Sequence, residues 1–196
     1  MRVSKAKDRL LDAAERLMLA KGYAATTVDE ICEAAKLTKG SFFHYFESKE
    51  RLGRELLERF CAASQQRLLE ACPKERDPLK RVYGMVQGAI KMSKACAARQ
   101  GCLLGAFAQE LSDSHPQIRA VCAEAFTQWA RALKSELDAA KAQYAPKADV
   151  DTKSLAEHFI AIVEGSKILA KAKRNARIEE ESLRHFQRYL EQIFEG

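Results

Sequence analysis

The sequence predicts an all-α fold of about nine helices, with an N-terminal helix-turn-helix domain of three helices before a larger helical domain. Apolar residues recur at spacings of three and four through almost the whole chain, and no segment alternates as a strand would. Residues typical of helix ends, such as Gly22, Ser48 and Asp77-Pro78, separate these periodic segments.

The composition is that of an ordinary soluble globular protein. The chain has 196 residues, of which 47% are hydrophobic and 31% charged. No apolar run approaches the length of a membrane span, and Asp12, Glu15 and Arg16 interrupt the apolar part of the N-terminal region. We therefore expect a cytoplasmic protein without a secretory signal and without a membrane partner.

Charge and cysteine content narrow the chemistry further. The net charge of +6 fits an acidic partner such as nucleic acid, although many soluble proteins are as basic. No C-x-x-C pair occurs, and the four histidines lack metal-site spacing, so we expect reduced thiols, no metal and no cofactor. The six cysteines are scattered through segments predicted to be helical. They are Cys32, Cys61, Cys72, Cys96, Cys102 and Cys122.

The first three predicted helices are short and well delimited. The first ends at Gly22, and the second begins after Thr27, which forms a capping box with Glu30. Its predicted inner face is Ile31, Ala34 and Ala35. The third, KGSFFHYF, begins after the capping residue Thr38.

The remaining predicted helices are longer. Ser48 caps one that extends to about Leu69, and Asp77-Pro78 opens the next. A short helix lies between Gly101 and Ser112, and His115-Pro116 begins a long one. The two closing helices are predicted at about residues 151–171 and 179–194.

Residues 27–46 form a helix-turn-helix pattern, in which the second helix enters the major groove of DNA. The helical spacing places Phe42 and Phe46 against the first helices and leaves Phe43 on the other side with Lys39 and Gly40. A ring there can contact thymine methyl groups, and a glycine lets the helix approach DNA closely.

The stretch TTVDEICEAAKLTKGSFFHYFESKERL resembles the DNA-binding segment of the TetR family of transcriptional repressors. The resemblance implies a DNA-binding domain at residues 1–47 and a ligand-sensing and dimerisation domain at residues 48–196. It also implies phosphate contacts from Thr27 and Lys49. The residues that it implies at the operator face are Thr38, Lys39, Gly40, Ser41, Phe43, His44 and Tyr45.

Two residues depart from the family pattern. Lys36 stands in the turn where the family usually has Gly, so the turn is either strained or avoids left-handed geometry. Phe43 stands where Tyr is frequent and offers no hydroxyl to a phosphate. The basic residues Arg2, Lys5, Lys7 and Arg9 form either an arm that reaches DNA or a solvated tail.

Symmetric dimerisation is expected because one helix-turn-helix reads only a few base pairs. A homodimer would bind a palindromic operator, and two helices from each subunit would form a four-helix interface. The alternative is that the apolar stripes on the closing helices only cover the chain's own core. The stripes are Leu155, Phe159, Ile162 and Leu169, and Leu183, Phe186, Leu190 and Ile193.

The middle helices are the predicted sensor for a small organic effector that releases the repressor from DNA. Methionine and aromatic residues line adaptable apolar sites, although they more often form plain core. The candidate ligand-binding residues are Met85, Met92, Cys102, Phe107, Glu110, Phe126, Gln128, Trp129 and Phe159.

Cys102 supports an alternative, a regulator that senses redox state or electrophiles through a thiol. It precedes a glycine-flanked helix start, where the helix dipole favours a thiolate. The stretch QGCLLGAFAQELSD resembles relatives that sense electrophiles or unsaturated acids, whereas an inert buried thiol is the ordinary alternative. An enzyme using Cys102 with His115 or His158 would leave the helix-turn-helix unexplained, as would a helical scaffold.

Overall fold

The computed structural model describes residues 5–71, 75–95 and 101–195, and within these ranges it contains nine helices and no strand. The all-α prediction is confirmed. The helices are α1 (Lys5–Lys21), α2 (Val28–Ala35), α3 (Lys39–Tyr45), α4 (Lys49–Ala71), α5 (Pro78–Ala95), α6 (Leu103–Leu111), α7 (Pro116–Tyr144), α8 (Thr152–Lys173) and α9 (Arg177–Phe194).

The chain divides into two compact units. The first comprises the described residues up to Ala63 together with Gly101–Ala123, so α6 belongs to the same unit as the helix-turn-helix. The second comprises the described residues from Ser64 to 95 and from Glu124 to 195. The predicted functional division at residues 47 and 48 stays a prediction.

The core of the first unit joins α1, α2 and α3. Leu10, Ile31 and Phe42 are fully buried, so each of the three helices contributes to it. The predicted inner face of α2 was wrong at one position, because Cys32 is buried and Ala34 is exposed. This helix has only eight residues, and small residues mark its two faces poorly.

The predicted helix starts are confirmed at several caps. Thr27 and Glu30 form the reciprocal capping box of α2, in which the Glu30 amide donates to Thr27 Oγ1 at 3.2 Å. The Arg51 amide donates to the Ser48 hydroxyl at 3.1 Å at the start of α4. The Leu79 amide donates to the Asp77 carboxylate at 2.9 Å at the start of α5.

The core of the second unit is built from α5, α7, α8 and α9. Helix α9 is tied to α5 by two side-chain hydrogen bonds, Tyr83 to Glu195 at 2.8 Å and Gln87 to Gln187 at 2.5 Å. The largest core side chains include Phe159 and Phe186, whose ring centroids lie 5.1 Å apart.

The predicted dimer stripes need correction, because most of their members lie in this core. Leu183 and Leu190 are fully buried, and a side chain without accessible surface cannot pack against a second subunit. The stripe on α8 is rotated by one position, so that Val163 and Ser166 are buried whereas Leu169 is 49% exposed. The predicted interface residues that are buried in the chain's own core are Leu155, Phe159, Leu183, Phe186 and Leu190, and those that are half-buried are Ile162 and Ile193.

Among the described residues, no helix is both long and apolar enough to span a membrane. No group of three potential metal-binding side chains occurs within the same ranges. Arg2 of the predicted basic arm lies outside the described residues, as do Cys72 and Cys96.

Candidate nucleic-acid interface

The turn between α2 and α3 adopts the strained geometry that glycine usually relieves. Lys36 has φ +53° and ψ +49°, which is left-handed. Its amide donates to the Glu33 carbonyl at 2.9 Å, and the Leu37 amide donates to the Cys32 carbonyl at 2.9 Å. The Arg9 guanidinium also binds the carbonyl of Lys36 at 3.2 Å, so α1 helps to fix the turn. The sequence left two conformations open here, and the chain takes the strained one.

The three phenylalanines of α3 and its C-cap separate as the spacing predicts. Phe42 and Phe46 are buried, with ring centroids 5.6 Å apart. Phe43 is 56% exposed and touches Phe42 edge-on, with centroids 5.2 Å apart. A large aromatic ring that the chain itself does not cover is available to a partner.

The N-terminus of α3 is exposed and carries a paired lysine. Lys39 Nζ lies 2.7 Å from Asp29 Oδ1 of α2, and both side chains are more than 60% exposed, at 62% and 65%. A Cβ at Gly40 would meet only Thr38 Oγ1, at 3.7 Å. Packing within the chain therefore does not require glycine at this position, which agrees with close approach by something outside it.

The polar side chains of α3 bond to one another. The Ser41 amide donates to Thr38 Oγ1 at 3.1 Å, and the two hydroxyl oxygens lie 3.1 Å apart. The His44 ring is exposed and lies edge-on to the half-buried Tyr45 ring, with centroids 4.8 Å apart. The structure thus brings Thr38, Lys39, Gly40, Ser41, Phe43, His44 and Tyr45 together on one short helix and its cap.

The two residues with implied phosphate contacts both have partners within the chain. Thr27 Oγ1 lies 3.0 Å from Glu30 Oε2 within the capping box. Lys21 and Thr27 lower the pKa of Glu30 to about 2, since both hydrogen-bond its carboxylate. Lys49 Nζ donates to the carbonyls of Tyr23 at 3.0 Å and Thr26 at 2.9 Å. Two of its three protons are therefore engaged, which leaves one for a phosphate.

The candidate ligand-binding residues are distributed over both units, and their role stays a prediction. Cys102, Phe107 and Glu110 belong to the first unit, and the other six belong to the second. The carboxylate of Glu110 accepts from the amides of Tyr23 and Ala24 at 2.8 and 2.7 Å, so it binds the loop between α1 and α2. Both carboxylate oxygens are thus engaged within the chain, and the expected role of Glu110 in orienting a ligand stays a prediction.

The other candidate ligand-binding residues range from buried to exposed. Phe107, Met85 and Phe159 are buried, and Trp129 packs partly against the core of the second unit. Gln128 is exposed and donates to Glu124 at 3.0 Å. The remaining two are Met92, which is 39% exposed, and Phe126, which is half-buried.

Cys102 lies at the N-cap of α6, as predicted, and is half-buried. The Ala106 amide donates to its carbonyl at 2.9 Å, and its side chain makes no capping hydrogen bond. Among the other described thiols, burial raises the pKa of Cys32 and Cys61 and raises the pKa of Cys122 to about 11.

Two family descriptions match the chain and cover most of it. Residues 10–56 match the tetR family of bacterial regulatory proteins, and residues 78–186 match the tetracyclin repressor-like C-terminal domain. The chain belongs to the TetR family. It is a DNA-binding transcription regulator with a helix-turn-helix, and the fold predicted from the sequence is that of the family.

Curated TetR-family relatives are similar over most of the chain. The transcriptional regulator AcuR of Cereibacter sphaeroides is 32% identical over 86% of this chain and 77% of its own length. The repressor DhaR of Mycobacterium sp. (strain GP1) is 28% identical over 86% of this chain and 84% of its own length. The repressor NemR of Escherichia coli is 32% identical over a shorter region, 58% of this chain and 57% of its own length.

Solved TetR-family structures have the same architecture. The regulatory protein TetR from Rhodobacter sphaeroides superposes with a TM-score of 0.84 at 31% identity, over 94% of this chain and 98% of that one. The reduced form of Escherichia coli NemR superposes with a TM-score of 0.76 at 25% identity, over 94% of this chain and 96% of that one.

Asp29 and Tyr23 of this interface escaped the sequence reasoning, and Arg9, which the sequence assigned to a basic arm or a solvated tail, instead binds the α2–α3 turn. Asp29 and Arg9 act on residues ten or more positions away, on Lys39 and on the α2–α3 turn respectively. Tyr23 is only 5% exposed and packs between α4 and α6, although it stands in a loop. The contacts of this interface that the sequence located are the caps at Thr27 and Thr38, because capping patterns are local.

Proposed function

We propose that this TetR-family regulator is a repressor that binds a palindromic operator as a homodimer and is released by a small organic molecule. The exposed N-terminal face of α3 carries this proposal, because Phe43 remains uncovered beside Lys39 and Gly40 while its neighbours Phe42 and Phe46 are buried. The implied partners are double-stranded operator DNA, a small effector and a second copy of the chain, acting in the cytoplasm. No enzymatic activity is proposed.

The exposed apolar residues of α8 and α9 support dimerisation. Ile168 and Leu169 are each 49% exposed, and Tyr189 is 46% exposed, on the two helices that the sequence assigns to the interface. These side chains replace the buried stripe residues as the proposed contacts. Burying large apolar side chains in this way is what a self-complementary interface between two copies requires.

The test uses duplexes selected from a random-sequence library by the purified protein. We expect a palindromic consensus, and an affinity that falls linearly with salt on a log–log scale, by a slope of about −0.9 per phosphate neutralised. A library that yields no enriched duplex at low salt would contradict the proposal. A selected site without two-fold symmetry would contradict the dimeric mode of binding.

A thiol-based mode of release through Cys102 is the second candidate. Its position at the N-cap of α6 favours it, together with the similarity to NemR, which has been solved in a form described as reduced. A thiolate there would add to the activated double bond of an electrophile, and the resulting carbanion would take a proton from water.

N-ethylmaleimide tests this candidate on the complex with the selected duplex. We expect one equivalent to modify Cys102 and release the DNA, while the Cys102→Ser variant stays bound. Cys122→Ser is the matched control, because that thiol is buried and its pKa is raised to about 11. Equal release of the DNA by wild type and by Cys102→Ser would exclude the thiol mechanism. The proposal that the protein binds DNA would not be affected.

A further inference from the structure

The loop between α1 and α2 is held from one side by a single carboxylate. Glu110, near the C-terminal end of α6, accepts from the Tyr23 amide through Oε2 at 2.8 Å and from the Ala24 amide through Oε1 at 2.7 Å. Two consecutive backbone donors thus share the two oxygens of one side chain. Hydrogen bonds to an ionised acceptor are about twice as strong as neutral ones.

The close approach of Glu110 favours glycine at position 22. The φ of Gly22 is +91°, which side chains rarely adopt, and a Cβ added there would lie 3.0 Å from Glu110 Oε2. The residue therefore has two reasons to be glycine, its own backbone conformation and the close approach of the carboxylate.

The carbonyl groups of the same loop are bound by α4. Lys49 Nζ donates to the carbonyls of Tyr23 and Thr26 at 3.0 and 2.9 Å, and it lies 4.3 Å from the centre of the Tyr23 ring. The loop thus gives its amides to α6 and its carbonyls to α4. A loop fixed by both donors and acceptors has little freedom to move independently of the two helices.

The Tyr23 side chain adds an apolar attachment to α6. Its ring lies edge-on to Phe107 with centroids 5.6 Å apart, and edge-on to His115 with centroids 5.5 Å apart. Phe107 precedes Glu110 by three residues, so one face of α6 supplies both the ring contact and the carboxylate. Burial raises the pKa of Tyr23 to about 12, with smaller effects from Glu50 and Glu110.

We propose that Glu110 is a positioning residue for DNA recognition, which fixes the N-terminus of α2 relative to α6 through the α1–α2 loop. Thr27, the N-cap of α2, directly follows this loop. The hydrogen bonds to the C-terminal turn of α6 therefore hold the residues that lead directly into the helix-turn-helix. The proposal rests on the proposed function, since it concerns how DNA affinity is set.

The Glu110→Gln variant tests the proposal on the duplex selected by the wild-type protein. An uncharged amide has one oxygen for two amides, so we expect at least about tenfold weaker binding. The salt slope should stay unchanged, because Glu110 holds the loop and neutralises no phosphate. The matched control is Asp113→Asn, which removes the same charge from an exposed position nearby and should change affinity less than about twofold.

Amide hydrogen exchange separates positioning from general stability. In Glu110→Gln, exchange should accelerate at Tyr23 and Ala24 while the amides inside α1 keep their protection. Leu137→Ala, which leaves a cavity in the core of the other unit, should bind DNA normally per folded molecule. If Glu110→Gln binds as tightly as Asp113→Asn, or loses affinity only in proportion to its unfolded fraction, the proposal is overturned.

A double-mutant cycle tests the coupling with Gly22. Gly22→Ala should weaken DNA binding in the wild-type background and less in the Glu110→Ala background, where the close contact is absent and only the backbone strain at φ +91° remains. If the losses of affinity caused by Gly22→Ala and Glu110→Ala simply multiply in the double variant, the two residues are not coupled through the loop. Because every variant is compared with wild type on one duplex, failure of the proposed function appears separately, as absence of binding by the wild type.

Discussion

Phe43 illustrates what a single residue contributes to the proposed interface. Its ring is 56% exposed, so substitution should leave the fold intact. We expect Phe43→Ala to weaken operator binding about ten- to hundredfold, since burying most of an aromatic ring is worth about 1.5–3 kcal/mol. Fluorescence anisotropy with the selected duplex measures this, and unchanged affinity would remove the ring from the interface. Phe43→Tyr, which adds a phenolic hydroxyl, is the comparison variant.

Lys39 is held by Asp29 before DNA arrives, with its ammonium 2.7 Å from the carboxylate. We expect Lys39→Ala to reduce the slope of affinity against salt by about 0.9, as the loss of one phosphate contact requires. Asp29→Asn should strengthen binding severalfold, because the lysine no longer has to leave a carboxylate.

The control for both substitutions is Lys153→Ala, which removes an exposed lysine from α8 of the second unit. It has the same effect on net charge as Lys39→Ala, and it should leave the salt slope unchanged. Identical slopes for the two lysine variants would contradict a phosphate contact at Lys39.

At the scale of the element, the α2–α3 turn stores backbone strain at Lys36. We expect Lys36→Gly to raise the free energy of unfolding by roughly 0.5–1 kcal/mol. Glycine removes the energetic penalty of the left-handed conformation, but it also makes the unfolded chain more flexible, which offsets part of the gain. Urea denaturation followed by circular dichroism measures this change. Lys36→Ala is the matched control, since it removes the same side chain and keeps the penalty. A gain shared by both variants would assign the effect to charge.

The N-terminus of α2 makes stability depend on acid pH. The pKa of Glu30 is lowered to about 2, first by its hydrogen bond to Lys21, so its ionised form is favoured in the folded state. The resulting stabilisation is fully present above the unfolded pKa of about 4.3 and is lost as pH falls towards 2. We expect the free energy of unfolding to fall less steeply in this range for Glu30→Gln than for wild type. Glu33→Gln, an exposed neighbour on α2, should follow the wild type.

At the scale of the whole molecule, the second subunit is expected to cover the exposed apolar residues of α8 and α9. We expect Leu169→Glu to convert the dimer to monomer at micromolar concentration and to abolish binding to a palindromic duplex while one half-site is still recognised weakly. Sedimentation velocity measures the change in mass. Met92→Glu is the matched control, since Met92 is an exposed apolar residue of α5. A dimer that survives Leu169→Glu would place the interface elsewhere.

Leu190 is the counterpart of Leu169, because the sequence assigns both to the interface and the structure buries only Leu190. We expect Leu190→Ala to lower the free energy of unfolding by about 2–5 kcal/mol through the cavity that it leaves. If Leu190→Ala changes the free energy of unfolding by less than this range and also abolishes the dimer, Leu190 belongs to the dimer interface and not to the core.

The sequence by itself determined the class of fold, several helix starts and the location of the helix-turn-helix. These features depend on residues close together in the chain: the Thr27–Glu30 capping box, the Asp77 cap and the spacing of Phe42, Phe43 and Phe46. Helical periodicity and capping act within about one turn, so a single sequence displays them directly.

Only the tertiary structure decided which apolar stripe is core and which polar groups are already bonded. The contact between Glu110 and the α1–α2 loop joins residues that are 86 and 87 positions apart, so no local sequence pattern predicts it. Leu169 and Val163 are equally apolar in the sequence, yet packing buries Val163 and leaves Leu169 exposed. Such outcomes depend on how whole helices pack around a shared core, where a rotation by one residue exchanges buried and exposed side chains.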